Sequence, residues 1–224
     1  MITIKNFNKE YLKYLFPQRT RLTTEYSLNH DSEQEKVDAA INLMIQKDYD
    51  MISPYLPTTC SDTLDIGCGI GLINIAIYNH YNKSINLHLL DKTELNTEKI
   101  SGFNEKYKFY NSMDAAKDIA TVNGVNDNQV HLFEATNYQS LFNKKFDVIS
   151  SFLSCGWHFH VKEYSKLMTD TLTNNGILIL DIRHNTDQLE HLLETFTLKK
   201  QIYNYAESKH TGGNIGDRYI FRKK

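Results

Sequence analysis

The sequence predicts an α/β fold: a doubly wound, mostly parallel sheet of seven strands with an N-terminal helical extension. Three observations lead there. An apolar run (Thr63, Leu64, Ile66) leads into Asp65-Ile66-Gly67-Cys68-Gly69-Ile70-Gly71, the pattern of a buried strand turning sharply into a helix. Glycine is needed where the backbone takes φ > 0 or where a ligand lies against bare main chain. A second apolar run, Ile85, Leu87, Leu89 and Leu90, also ends in an acid, Asp91. Strand-like and helix-like runs then alternate until two β-rich runs close the chain.

Element by element, Ser32 and Glu35 form a capping box ahead of Val37, Ala40, Ile41, Met44 and Ile45, which share one helical face. This amphipathic helix should end near Ser53-Pro54, within a helical segment covering roughly residues 7 to 56. Residues 92–110 are polar and aperiodic and read as an insertion. Met113, Ala116 and Ala120 open a helix closed by Gly124, with Asn111-Ser112 at its start, where side chains cap. Val130 to Phe133 is a third strand, running into Glu134-Ala135-Thr136-Asn137, and Phe146 to Ser150 a fourth. Val161, Tyr164, Leu167, Met168 and Leu172 mark one face of the next helix. Asn174-Asn175-Gly176 turns the chain into a fifth strand, Ile177 to Ile182, followed by a helix carrying Leu189, Leu192, Leu193 and Phe196. Gln201 to Ala206 and Arg218 to Phe221 form the closing pair, joined through residues 211–216.

A chain of 224 residues with 41% hydrophobic content can bury one full core. The net charge of −2, with no dense basic cluster beyond Arg222-Lys223-Lys224, argues against a broad polyanion-binding surface. Cys60, Cys68 and Cys155 are an odd number without metal spacing, so a reducing compartment is expected. The start of the chain lacks the pattern of a signal peptide, and no apolar run reaches membrane-spanning length, which leads us to expect a cytoplasmic protein without membrane contacts. Oligomeric state is not legible.

Strand, glycine loop, helix, second strand and terminal carboxylate together form the plan of an α/β nucleotide site, the acid accepting hydrogen bonds from ribose hydroxyls. The dinucleotide fingerprint G-x-G-x-x-G fails, because Asn74 stands where the third glycine should be. With Asp65 directly before the loop and Asp91 at the end of the next strand, the pattern resembles motif I of the class I S-adenosylmethionine (SAM) methyltransferases, over roughly residues 60 to 182. The resemblance implies a Rossmann-like fold in which residues 1–57 form a cap and residues 58–224 the SAM-binding domain. It implies SAM as cofactor and S-adenosylhomocysteine as product, with the amino-acid end of SAM over Asp65 and Gly67 and the ribose held by Asp91. Cys68 and Gly69 of the loop, and Lys92 beside Asp91, are expected in the same site. By position in the family, Thr136 or Asn137 meets the adenine, with Glu134 a substitute, and Asn111 and Ser151 are further cofactor contacts.

Ligands of open α/β sheets sit outside the carboxyl ends of the strands, so the loop after the fourth strand should face the methyl group. It reads Ser150-Ser151-Phe152-Leu153-Ser154-Cys155-Gly156-Trp157-His158-Phe159-His160. With only three prolines, at 17, 54 and 57, the Asn/Asp-Pro-Pro-aromatic motif of amine methylation is absent, and no metal-dependent acid pattern is matched. A hydroxyl acceptor needs alignment and removal of a proton, for which histidine is suited near neutral pH. His158 and His160 are the candidate bases, while Tyr26, Trp157 and His184 are candidate substrate contacts, with His30 as a further pocket residue. The His-x-His pair with Asp181 or His184 lacks a third metal ligand fixed by sequence, so no metal is expected. The resulting expectation is methylation of a small-molecule hydroxyl, on a sugar or secondary metabolite, with nucleic acid disfavoured as a partner. The alternatives are an RNA or protein methyltransferase, and a SAM-binding regulatory protein without catalysis.

Overall fold

The computed structural model describes residues 3–15, 26–28, 32–95, 110–208 and 213–224. His30, most of the 92–110 insertion and residues 211–212 therefore lie outside the described residues. In chain order the strands are β1 (Asp62–Ile66), β2 (Asn86–Asp91), β3 (Glu94–Leu95), β4 (Tyr110–Asn111), β5 (Val130–Glu134), β6 (Phe146–Ser151), β7 (Leu172–Arg183), β8 (Phe196–Ser208) and β9 (Gly213–Lys223). The helices are α1 (Gln34–Ile52), α2 (Leu72–His80), α3 (Met113–Val122), α4 (Ser165–Thr171) and α5 (Gln188–Thr195), with short 3-10 turns between them. A seven-stranded sheet runs in the order β5-β2-β1-β6-β7-β9-β8. Its first five strands are mutually parallel, and β9 lies antiparallel to both β7 and β8. This is the doubly wound plan the sequence predicts.

The period-two alternation of the strands divides the core between the two faces of the sheet. Ile177 and Ile179 of β7 pack with Val148, Leu87 and the α2 and α3 residues Ile77, Tyr78, Met113 and Ala116. Leu178, Leu180 and Ile182 point the other way, onto Leu167 and Met168 of α4 and Leu192 of α5. The five predicted face residues of α1 are all buried, packed on Ile75 and Ala76 of α2 and on Ala115 and Ile119 of α3.

Four local expectations are corrected. First, α1 starts at Gln34 with Glu33 as N-cap, not at the Ser32–Glu35 box. Its first turn is set by tertiary contacts: Asp38 accepts from the Asn6 and Phe7 N–H groups, and Gln34 donates to the Phe7 carbonyl. Second, the two ends of the 92–110 insertion are structured, β3 pairing antiparallel with β4. Third, Asn174-Asn175-Gly176 is not a turn before the fifth strand but lies inside β7, at a register shift against β6. Fourth, Leu193 is exposed, and Phe196 belongs to β8 rather than to the preceding helix. No helix among the described residues is long and apolar enough to cross a membrane.

Candidate functional site

The site is built at the carboxyl ends of β1, β2, β5 and β6. Gly67, Gly69 and Gly71 take φ of 72°, 55° and 70°, all in the left-handed region. The loop is tied to the neighbouring strand because the Leu90 carbonyl accepts from the Gly67 and Cys68 N–H groups, at 2.7 and 3.2 Å. Gly71 is the N-cap of α2. A Cβ on Gly69 would meet nothing within 4 Å, so this glycine faces open space. At Gly67 a Cβ would fall 1.8 Å from the Ser154 hydroxyl, because the loop after β6 folds onto it.

Asp65 lies beneath this loop, not in its mouth. It is 1% exposed; Asn74 of α2 donates to one oxygen at 2.6 Å and the Ser150 hydroxyl to the other at 3.0 Å. Burial pushes its carboxyl up to about 7, against the pull of those two donors. In this arrangement Asp65 braces the loop from below through Asn74 and Ser150. Asn74, the residue that breaks the dinucleotide fingerprint, supplies one of the two braces, a role that its position in the motif could have suggested.

Asp91 is placed differently. Its two oxygens accept from the Gly69 N–H and from the Lys92 N–H, each at 2.7 Å. Burial raises its carboxyl to about 6. A carboxylate offers about four acceptor positions, so capacity remains for a hydroxyl donor at the mouth. The Asp91 carbonyl accepts from the Ala135 N–H at 2.9 Å, and Glu134 accepts from the Thr93 N–H at 3.2 Å, which joins the ends of β2 and β5. Thr136 and Asn137 are exposed in the loop that follows. The Lys92 ammonium pairs with Glu94 at 2.5 Å. Asn111 is buried, its amide nitrogen donating to the Met113 sulfur at 3.5 Å, while its carbonyl oxygen has no hydrogen-bond partner. The cap of α3 is Ser112, whose hydroxyl accepts from the Ala115 N–H. Cys68 donates to the Gly69 carbonyl, and burial raises its thiol well above the usual range.

The loop after β6 places the remaining candidate residues. Ser151, expected at the cofactor, is fully buried: its hydroxyl donates to the Ile66 carbonyl at 2.6 Å and accepts from the Cys155 N–H at 2.8 Å. It stitches the loop to β1. His160, expected as a base, has both ring nitrogens engaged. Nδ1 accepts from the Lys162 N–H at 3.1 Å, capping the 3-10 turn Val161–Glu163, and Nε2 lies 2.7 Å from Asp187. Trp157 lies against β9. It is 7% exposed, packed on Gly216 of β9 with the Arg183 guanidinium 4.9 Å from its ring centre. His184 pairs with buried Asp217 at 2.9 Å and remains about one-third exposed. Tyr26 is half-buried beside the α1 cluster.

His158, the other histidine of this loop, is half-buried. Burial, with a smaller contribution from the Arg183 charge, lowers its imidazole to about 4. The neutral imidazole is therefore the form present at pH 7. Among the described residues no group of three or more His, Cys, Asp or Glu is placed to hold a metal ion.

An ion network that the sequence did not reveal lies under the start of the loop. Arg218 of β9 is fully buried and donates to both oxygens of Asp181 of β7, at 2.7 and 3.0 Å. Asp48 of α1 lies 3.6 Å from the same guanidinium, and the Phe152 ring stacks 4.3 Å from it. Asp181 also accepts from the Leu153 N–H at 3.2 Å. Four separate elements are thereby fixed at one point.

No protein-family model matches the sequence, and no curated protein matches it. Solved structures do. The chain is similar to the O-methyltransferase segment of StiE, residues 961–1257, with TM-score 0.58 at 15% identity over 92% of this chain and 81% of that one. It is similar to the mitomycin 7-O-methyltransferase MmcR (TM-score 0.52, 12% identity, 94% and 68% covered). It is also similar to a ribosomal protein L11 methylase from Lactobacillus delbrueckii subsp. bulgaricus (TM-score 0.51, 16% identity, 88% and 80% covered). The chain has the fold shared by these methyltransferases.

Proposed function

We propose that this chain, which carries the class I methyltransferase fold, binds SAM and methylates a hydroxyl of a small-molecule acceptor. The observation that carries the reading is the loop of left-handed glycines whose Gly69 N–H meets the Asp91 carboxylate at the ends of adjacent parallel strands. Open space at Gly69 and the unpartnered Asn111 carbonyl oxygen fit a bound nucleoside with hydrogen-bond donors. Asp91 would accept from ribose hydroxyls, Asn111 and the Thr136–Asn137 loop would meet the base, and the Gly67–Gly69 backbone would lie along the amino-acid end. Bound SAM supplies an electrophilic methyl group on a cationic sulfur.

The protein's own part is to align the acceptor and to take the hydroxyl proton, for which His158 is the proposed base. Residues 1–57 are proposed to cover this side of the site, supported by the approach of Asp48 to Arg218 beneath Phe152. The names of two similar structures, both O-methyltransferases, support a hydroxyl acceptor.

Calorimetry tests the reading. SAM and S-adenosylhomocysteine should bind and NAD should not, and Asp91→Ala should weaken SAM binding by about 1.5–3 kcal/mol, the range for a hydrogen bond to a charged group. An unchanged affinity in that variant, or a preference for NAD, would overturn the assignment. SAM binding with no release of S-adenosylhomocysteine across a metabolite panel would favour the non-catalytic reading.

Gly69→Val addresses the same loop by a second route. Space for the side chain exists, but φ of 55° strains any β-branched residue, and the new methyl groups would fill the cleft. The thermal midpoint of the wild type should rise with added SAM, and that of the variant should not. An equal rise in both would mean that no ligand approaches Gly69.

A further inference from the structure

A second concavity lies at the opposite pole of the sheet, beside the amino end of β6. It is a groove of ≈ 720 Å³ between the Pro54–Thr59 linker, the start of β7 and the β8–β9 ribbon. This volume is in the range of small-molecule sites. Both walls owe their shape to irregular pairing. From Phe146 to Val148, β6 faces the whole stretch Leu172 to Ile177 of β7, so Thr173, Asn174 and Asn175 loop out into the groove. Gly176 is required there, since a Cβ would lie 2.9 Å from the Thr173 hydroxyl and 3.0 Å from the Asp147 carbonyl. On the other wall the register slips between Leu198 and Lys200 of β8, and Lys199, the extra residue, joins Arg222 of β9 in lining the groove. Bulges of this kind re-aim side chains, and they are over-represented beside functional sites.

The chemistry of the lining is mixed. Lys199 and Arg222 are exposed cations, and Asn174 and Asn175 are exposed amides. Asp147 accepts from the Ser61 N–H at 2.8 Å and from the Thr173 hydroxyl at 3.2 Å, leaving further acceptor positions. Tyr55 is half-buried in the linker wall. Two cations suit a phosphate, a carboxylate suits sugar hydroxyls, and amides with an aromatic face suit a base.

We propose that this groove is a binding site for a nucleoside monophosphate, with Lys199 and Arg222 holding the phosphate and Asp147, Asn174, Asn175 and Tyr55 meeting the nucleoside. The site is separate from the glycine loop and does not depend on the methyltransferase reading.

The test is calorimetry on the full chain with AMP, adenosine and inorganic phosphate. AMP should bind, with adenosine and phosphate each at least about tenfold weaker, because each leaves half of the lining without a partner. The double variant Lys199→Ala with Arg222→Ala, at exposed positions that folding tolerates, should lower AMP affinity at least about tenfold and leave SAM affinity unchanged. Failure of AMP to bind, equal affinity for inorganic phosphate, or equal AMP affinity in the double variant would each overturn the proposal. So would loss of AMP binding in Asp91→Ala with no effect of the double variant, which would put the nucleotide on the glycine loop.

Discussion

Replacing Asp181 by Ala should lower the unfolding free energy by about 3–5 kcal/mol, the usual consequence of leaving a buried charge without its partner. Arg218 is fully buried and spends two charge-assisted bonds on Asp181, while its contact with Asp48, at 3.6 Å, is longer and on another nitrogen. Deleting the carboxylate also removes the acceptor for the Leu153 N–H. Urea denaturation of Asp181→Ala and of Arg218→Met separates two explanations. If the cost comes from the stranded guanidinium, the apolar replacement, which strands no cation, should be milder than Asp181→Ala. A loss below about 1 kcal/mol in Asp181→Ala would show that the other contacts of Arg218, Asp48 among them, compensate it. Because the network joins α1, β7, β9 and the loop after β6, the same variant should also loosen the loop that carries His158.

His158→Ala should lower turnover roughly 10²- to 10⁴-fold while SAM affinity stays within about twofold, as expected for a base that acts only on the acceptor. The lowered imidazole sets a second expectation. A group titrating at about 4 keeps its basic form above that pH, so the rate should fall only as the solution is acidified towards 4 and should show no inflection from this residue between pH 5 and 8. His160→Ala is the internal control. It removes the cap of a 3-10 turn and a pairing with Asp187, so it should cost stability, about 1 kcal/mol by analogy with helix caps, and leave turnover largely intact. Full turnover in His158→Ala would mean that alignment alone carries the reaction. A large loss in His160→Ala with unchanged stability would reverse the assignment of the two residues.

The sequence by itself determined the alternation of elements, the faces of α1 and α3, and the glycine loop with an acid at the end of each of two strands. These are local patterns: burial on one face repeats every 3.6 or two residues, and a left-handed backbone demands glycine within a short stretch. The tertiary structure decided what each polar side chain does, because partners are supplied by topology rather than by neighbours in the chain. Asp65 and Asp91 look alike in sequence, each an acid closing an apolar run. Asn74 and Ser150 converge on the first and bury it as a brace, whereas the second meets the loop backbone at the mouth. The His-x-His pair likewise separates only in three dimensions, where Lys162 and Asp187 engage both nitrogens of His160 while His158 is half-buried and feels the Arg183 charge. Asp181 and Arg218 meet because β9 pairs antiparallel with β7, a register that no local pattern contains, and the bulges that shape the second groove follow from the same long-range pairing. A buried polar group must find a partner or pay its desolvation, and that partner depends on which distant strand the fold lays alongside it.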